Sequence, residues 1–205
     1  MTAEDDDAFW LYEADPQVDI CDPSLTVDAC LDVILPEILD HVTGKWSWVL
    51  EIGCGIGRLT NPIQAALPRV HVVGLDINPK FIALACEAAG AVTWTGMMPA
   101  YRVTGSLDDV ASPGSVDAIY SMAVFQHLSN DRKRDYIQQI GRALRPGGVT
   151  VFQYVEGVHS SRCMYDALIM EVAGWCQEAG LEVQRIQHDL LMPRWTWVTA
   201  TRETS

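Results

Sequence analysis

The segment VLEIGCGIGRLT, residues 49–60, places a carboxylate, a cysteine and three alternate glycines directly after an apolar run. Gly53, Gly55 and Gly57 carry no side chain, so a ligand can approach the backbone of this turn closely. A glycine turn between a strand and a helix receives polar or anionic groups at the helix N-terminus. The segment therefore predicts a binding turn for a small ligand.

The spacing of the glycines bears on which ligand this is. Nicotinamide oxidoreductases use the pattern G-x-G-x-x-G. Here Arg58 occupies the position of the last glycine of that pattern, Gly57 comes one residue early, and Glu51 precedes the turn. A glycine turn alone is weakly diagnostic, but Arg58 argues against a nicotinamide cofactor.

Over residues 46–200 the chain resembles the class I, Rossmann-like S-adenosylmethionine-dependent methyltransferases. The family's motif acid-x-G-x-G-x-G matches Glu51–Gly57, and its acid at the end of the following strand matches Asp76 in VVGLDINP. The later segments VDAIYSMAVFQHL and IGRALRPGGVTVF are also similar to the family. The resemblance implies S-adenosyl-L-methionine as cofactor and methyl transfer as the activity, and it leaves the acceptor open.

The residue types fit that cofactor. The Asp76 carboxylate can accept from both ribose hydroxyls, although an Asp can also simply close a strand as a turn residue. Glu51 ends a buried strand, where its charge needs a partner such as the methionine ammonium. Cys54 is expected to pack rather than to act as a nucleophile. The cofactor-binding residues predicted in this way are Glu51, Gly53, Cys54, Gly55, Gly57, Asp76, Ile77, Ser106, Leu107 and Met122.

The adenine position departs from the family pattern. An Asp commonly follows the glycine of the third strand, and TGSLDD places Ser106 there. A serine hydroxyl can donate to or accept from the adenine amino group, but only as a neutral and shorter partner. Asp108 is an alternative partner. The resemblance also implies that the Leu107 backbone N–H faces the ring edge.

Candidate catalytic and acceptor-binding residues follow the fourth and fifth predicted strands, because open α/β sheets bind ligands at the carboxyl ends of their strands. His127 has a suitable intrinsic pKa for a general base, or else bonds a carbonyl at a helix end. Glu156 is either a second catalytic group or a turn carboxylate. Gln126 and Tyr154 can orient an acceptor. The basic residues at 132–134 are expected on a solvated helix face.

Charge is unevenly distributed along the 205 residues. The formal net charge is −13, and residues 1–40 hold twelve Asp or Glu with no Lys or Arg. Such acidity argues against nucleic acid phosphates as a target. The six cysteines show no metal-ligand spacing, so no metal is expected. Without a basic leader or a long apolar run, we expect a cytoplasmic protein with no membrane span.

Residues 1–45 are expected to form an acidic arm ahead of the domain at 46–205. The arm is either a solvated tail or a lid, and Trp10 and Tyr12 in AFWLYEADP favour contact with the acceptor. An acidic lid would favour a neutral or cationic acceptor.

Strands that alternate with helices predict one α/β domain of Rossmann-like type. We expect a mainly parallel seven-stranded sheet with an antiparallel C-terminal hairpin and helices on both faces. The predicted bounds that matter below are a helix at 26–42 broken or kinked at Pro36, strands at 101–107, 116–125 and 149–157, and helices at 130–148 and 163–180.

Two functions follow from these patterns. The first is a methyltransferase that acts on oxygen or nitrogen of a small molecule. The alternative is a cofactor-binding or interaction protein on the same fold with little or no turnover, because a fold does not dictate an activity. The oligomeric state is not fixed by any of these patterns.

The role of Asp76 gives the first testable prediction. We expect Asp76→Ala to weaken cofactor binding by about 1–3 kcal/mol, because a charge-assisted contact to two hydroxyls is lost. Isothermal calorimetry with S-adenosylhomocysteine measures the change. An unchanged dissociation constant would remove Asp76 from the ribose.

Overall fold

The computed structural model describes residues 8–15, 25–42, 44, 46–157 and 165–204. Its centre is a seven-stranded sheet in the order β3-β2-β1-β4-β5-β7-β6. The strands β1 to β5 pair in parallel, and β7 pairs antiparallel with both β5 and β6, which confirms the predicted sheet and hairpin. The strands are β1 Trp48–Ile52, β2 His71–Asp76, β3 Ala100–Val103, β4 Val116–Ser121, β5 Leu144–Val155, β6 Leu181–His188 and β7 Trp195–Arg202.

Five α-helices in the described residues surround the sheet. Their starts follow local capping signals: the Asn78 side chain accepts from the N–H groups of Lys80 and Phe81 ahead of Pro79. None of these helices has the length and apolar character needed to cross a membrane. The helices are α1 Val27–Leu39, α2 Thr60–Ala66, α3 Pro79–Gly90, α4 Asn130–Ala143 and α5 Ile169–Glu178.

Apolar side chains are buried on both faces of the sheet, as its near-continuous hydrophobic strands require. On β1, Val49 packs into the core beneath α1 and α2, and the next residue, Leu50, packs into the core beneath α4 and α5. The α1 residues Cys30, Ile34 and Ile38 are fully buried. The helical part of the N-terminal region therefore belongs to the core of the domain.

The structure corrects the predicted bounds of two strands near the cavity. The third strand ends at Val103 rather than at 107, because Ser106 caps a short 3-10 turn at Leu107–Asp109. The fourth strand ends at Ser121, and a second 3-10 turn follows at Phe125–His127. The shorter strands leave the segments after them free to line a site.

Three helix predictions also change. The predicted break at Pro36 does not occur, since α1 continues to Leu39 and its buried face outweighs one lost backbone bond. The helix predicted to end at Pro-Gly-Gly ends at Ala143, and β5 begins at Leu144 with an irregular register. The last helix starts at Ile169 rather than at 163, and its predicted first two residues lie outside the described part of the chain.

Close packing between α4 and the end of α5 gives a test of the fold. A Cβ at Gly141 would lie 2.3 Å from the Ala179 carbonyl oxygen. We expect Gly141→Ala to lower the free energy of unfolding by about 1–3 kcal/mol through overpacking, although alanine is the better helix former.

The matched control is Gly174→Ala within α5, where no described atom lies within 4 Å of the added Cβ. There we expect a gain of up to about 1 kcal/mol from helix propensity. Urea unfolding of both variants measures the changes. Equal effects would show that the Gly141 contact is not tight.

Candidate functional site

A cleft lies at the carboxyl ends of β1, β2 and β4, where parallel α/β sheets bind ligands. It encloses roughly 890 Å³ of empty space, part of it open to solvent. A smaller cavity of about 320 Å³ adjoins it at the glycine turn. The predicted site residues that line the larger cavity are Trp10, Gly53, Gly55, Asp76, Ile77, Ser106, Leu107, Met122 and His127.

The glycine turn has the backbone that its sequence predicts. Gly53, Gly55 and Gly57 have φ values of 70°, 53° and 79°, which side-chain-bearing residues rarely adopt. A Cβ at Gly53 would lie 2.2 Å from Val124 Cγ2, and one at Gly57 would lie 2.5 Å from the Tyr101 hydroxyl. Gly53 and Gly55 line the cavity, whereas Gly57 provides close packing beneath the turn.

Asp76 faces the same cavity and is held by the backbone. Its Oδ2 accepts from Gly55 N–H at 2.9 Å, and its Oδ1 accepts from Asn78 N–H at 2.8 Å. Burial raises the pKa of this carboxyl group, and the backbone donors oppose that rise. Each oxygen keeps further acceptor capacity, so the carboxylate is positioned to receive two ligand hydroxyls.

Glu51 is only 3% exposed and reaches the smaller cavity. Its Oε2 accepts from the Tyr120 hydroxyl at 2.8 Å and from the Thr60 hydroxyl. Burial raises the pKa of the Glu51 carboxyl to about 7, against the opposing effect of these two donors. No described Lys or Arg pairs with Glu51, so the site can accept a ligand cation.

Cys54 lies in the glycine turn with its side chain turned toward α3. It packs with Ile82, Ala85 and Tyr101. Burial raises the pKa of its thiol, which leaves the sulfur protonated and inert. The packing role expected for the Cys54 side chain agrees with this placement, and its backbone borders the smaller cavity.

Residues 104–107 form the end of the larger cavity beyond Asp76. The Leu107 N–H, which the resemblance assigns to the adenine edge, donates to Gln139 Oε1 at 2.8 Å. The Ser106 hydroxyl donates to the same oxygen at 3.1 Å. Asp108 lies away from the cavity and pairs with Arg142 at 2.7 Å. Sequence reasoning missed Gln139, because only the folded chain brings α4 against this loop.

Trp10 closes one side of the cavity next to His127. The two rings meet edge to face with centroids 4.7 Å apart, and the Trp10 carbonyl accepts from Asn78 Nδ2 at 2.7 Å. The buried Gln126 amide nitrogen lies 3.1 Å from His127 Nε2, and Gln126 Oε1 accepts from Gln153 at 3.2 Å. The structure thus brings Trp10, Gln126 and His127 together.

Gly57 and Gln126 line neither cavity, and three further predicted site residues also lie outside both. Tyr12 is 77% exposed. Tyr154 is fully buried in the core, and burial raises the pKa of its hydroxyl. Glu156 accepts from Ile169 N–H at 3.0 Å at the start of α5 and lies 3.4 Å from His188 Nδ1. The turn role for Glu156 fits this geometry better than the catalytic one.

The expectation of a solvated basic face at residues 132–134 is wrong for two of the three residues. Lys133 is fully buried, and its ammonium donates to Asn130 Oδ1 at 3.0 Å and to the Tyr165 carbonyl at 2.7 Å. Arg132 borders the larger cavity. Only Arg134 is exposed, in an ion pair with Glu178. The charge pattern of a helix gives no sign of the backbone carbonyls to which the Lys133 ammonium donates.

The buried Glu51 carboxyl predicts a pH-dependent stability. The pKa of Glu51 is about 7 in the folded chain, against 4.5 for an ordinary carboxyl group. The folded state therefore holds this proton more tightly, and the resulting stabilisation is fully present below pH 4.5 and is lost as pH rises through 7. We expect Glu51→Gln to stabilise the ligand-free protein at pH 8 by up to roughly 3 kcal/mol, and to have little effect at pH 4.5.

Thermal melts at both pH values test this, with Glu87→Gln on the exposed side of α3 as the control. A shift of the Glu51→Gln midpoint that is equal at both pH values would contradict the buried-carboxyl account.

The chain is similar in sequence to known methyltransferases. A family model described as "Methyltransferase domain" matches residues 50–150. The N-terminal Xaa-Pro-Lys N-methyltransferase 1 of Mus musculus is 32% identical over 108 residues, which is 52% of this chain and 47% of that protein. The trans-aconitate 2-methyltransferase of Azoarcus sp. (strain BH72) is 30% identical over 105 residues, 51% of this chain and 38% of that protein. The chain thus spans about half or less of these relatives.

The fold has close structural counterparts. The magnesium protoporphyrin IX methyltransferase of Synechocystis PCC 6803, solved with bound S-adenosylhomocysteine, matches with a TM-score of 0.76. The match covers 98% of this chain and 99% of that one at 16% identity. The sequence match, the fold and the order of the motifs agree. Residues 50–150 belong to the methyltransferase domain family, and the chain has the class I, Rossmann-like methyltransferase fold.

Proposed function

We propose that this protein transfers a methyl group to oxygen or nitrogen of a small molecule. The observation that carries the proposal is the Trp10 side chain, which closes the cavity beside His127 at the carboxyl edge of the sheet. Enclosed, largely apolar cavities of several hundred Å³ suit small ligands. A protein surface or a nucleic acid would need an open approach instead, and the acidic chain disfavours phosphates.

The residues that line the two cavities fit S-adenosylmethionine along its whole length. Asp76 suits the ribose hydroxyls, the turn at Gly53–Gly55 suits the amino-acid part, and Glu51 offers a buried carboxyl group to the ammonium. When bound, S-adenosylmethionine supplies a methyl group on a positively charged sulfur. The contribution of the chain is then mainly to position an acceptor in line with that methyl group and to exclude water.

His127 is the proposed general base where the acceptor must lose a proton. Histidine is the side chain that most often takes such a proton in enzymes. The ring of His127 lies against Trp10 and beside the Gln126 amide, which limits its orientation. Gln126 is therefore a proposed positioning residue, and Tyr154 and Glu156 are not assigned catalytic work.

Within the N-terminal region, we assign the lid to residues 8–15. This segment is anchored through the Trp10 carbonyl on Asn78, the residue that also caps α3. Residues 27–39 serve instead as part of the core. The acidic character of the arm favours a neutral or cationic acceptor. The described thiols of Cys54, Cys86 and Cys176 form no disulfide, which supports a reducing compartment such as the cytoplasm.

A binding protein with little turnover remains the second candidate. The observation that favours it is the position of Glu156, whose carboxylate accepts from Ile169 N–H at the start of α5 and lines neither cavity. Release of S-adenosylhomocysteine in the presence of a panel of neutral and cationic alcohols, phenols and amines separates the two. Turnover with any of them, lost in Asp76→Ala, supports the enzyme. Tight cofactor binding without turnover across the panel supports the binding protein.

The lid gives a specific prediction. We expect Trp10→Ala to weaken S-adenosylhomocysteine binding by about tenfold and to reduce kcat/KM for the best acceptor at least as much, because the cavity loses a wall that excludes water. Trp10→Phe should retain most of both, since it keeps an aromatic face.

Tyr12→Ala is the matched control, because Tyr12 is exposed on the same segment and lies outside the cavity. Its binding and turnover should stay within twofold of the unmodified protein. Identical losses in Trp10→Ala and Tyr12→Ala would make the segment a general stabiliser rather than a lid.

A further inference from the structure

Gln139 of α4 holds the loop that forms the far end of the cavity. Its Oε1 accepts from the Leu107 backbone N–H at 2.8 Å and from the Ser106 hydroxyl at 3.1 Å. The Gln139 side chain is only 5% exposed, so water has little access to these bonds. Both donors are therefore engaged within the protein.

Asp135 fixes the direction in which the Gln139 amide faces. Gln139 Nε2 donates to Asp135 Oδ2 at 2.8 Å. A carboxylate only accepts and a backbone N–H only donates. A reversed Gln139 amide would therefore set its oxygen against the Asp135 carboxylate and its NH₂ group against the Leu107 N–H. The acceptor oxygen of Gln139 is accordingly held toward Leu107 and Ser106.

The base of the cofactor belongs at this end of the cavity. Asp76 suits the ribose and the glycine turn suits the amino-acid part, which leaves the opposite side of Asp76 for the base. That side offers mainly apolar surface for the faces of a purine. The apolar and aromatic residues that line it are Ile77, Leu107, Leu128 and Tyr136.

Because the Leu107 N–H and the Ser106 hydroxyl already donate to Gln139, they affect which hydrogen bonds the site can offer to a purine base. Adenine presents an acceptor at N1 and a donor amino group at position 6, whereas hypoxanthine presents a donor at N1 and an acceptor oxygen. A free buried N–H facing N1 would discriminate strongly between them, because the wrong base leaves it unpaired. The Ser106 hydroxyl also accepts from Asp108 N–H at 3.3 Å, so only one of its lone pairs is open to a ligand.

We propose that Gln139 sets the base selectivity of the cofactor site by withholding the Leu107 N–H and the Ser106 hydroxyl proton from the purine. The site then holds the base through its faces and tolerates a change at position 6. This concerns the cofactor site alone, so binding measurements can refute it whether or not the proposed acceptor chemistry is right.

Calorimetric titration of the full chain with S-adenosylhomocysteine and with S-inosylhomocysteine tests the proposal directly. We expect the two dissociation constants to lie within about tenfold of each other. A larger preference for S-adenosylhomocysteine would overturn the proposal. This comparison needs no variant, so it stays decisive even where a substitution prevents folding.

Gln139→Leu removes the acceptor oxygen at similar volume and frees both donors. In this variant we expect the preference for S-adenosylhomocysteine over S-inosylhomocysteine to rise at least tenfold above that of the unmodified protein. Gln138→Leu, the same change at the neighbouring residue of α4, is the matched control with the original ratio, because Gln138 lines neither cavity. A folded Gln139→Leu variant with an unchanged ratio would show that Gln139 does not set the selectivity.

Discussion

The rest of the site depends on the hydrogen bonds that the Asp76 carboxylate accepts. This carboxylate accepts from Gly55 in the turn after β1 and from Asn78 at the start of α3, so one side chain joins two strand ends and a helix. Asn78 in turn holds the Trp10 carbonyl. A carboxylate has enough lone pairs to serve these backbone donors and a ligand together. The same carboxylate thus supports the framework and lines the cavity, and the segment at residues 8–15 is connected to it through Asn78 alone.

The parts of the fold that could be predicted from sequence are those encoded locally. Two apolar strands, the glycine turn and the Asn-Pro start of α3 each depend on residues within a few positions of one another. The contact of Gln139 with Leu107 spans 32 residues, and that of Lys133 with Tyr165 likewise. The spacing of residues within one element does not predict such pairs, because they depend on how α4 packs against the sheet.

For the two candidate catalytic residues, sequence reasoning predicted their place after strands of the sheet but not the direction of each side chain. His127 and Glu156 both follow strands at that edge. A 3-10 turn carries His127 into the cavity, whereas Glu156 turns toward the first backbone N–H of α5. The rule that ligands bind at strand ends predicts where these residues lie. The direction of each side chain depends on the turn after the strand, and the type of a polar residue does not specify that turn.

The buried Lys133 has a consequence for how this scaffold can diversify. Its ammonium and the Gln126 carbonyl hold the backbone at Tyr165, while Val155 is fixed in β5 and its carbonyl accepts from Ala167 N–H. The Lys133 ammonium donates to the backbone carbonyls of Tyr165 and Asp166 and not to their side chains. These bonds therefore do not depend on which residue types occupy the two positions. Sequence can change there while the backbone held by α4 and β5 stays in place.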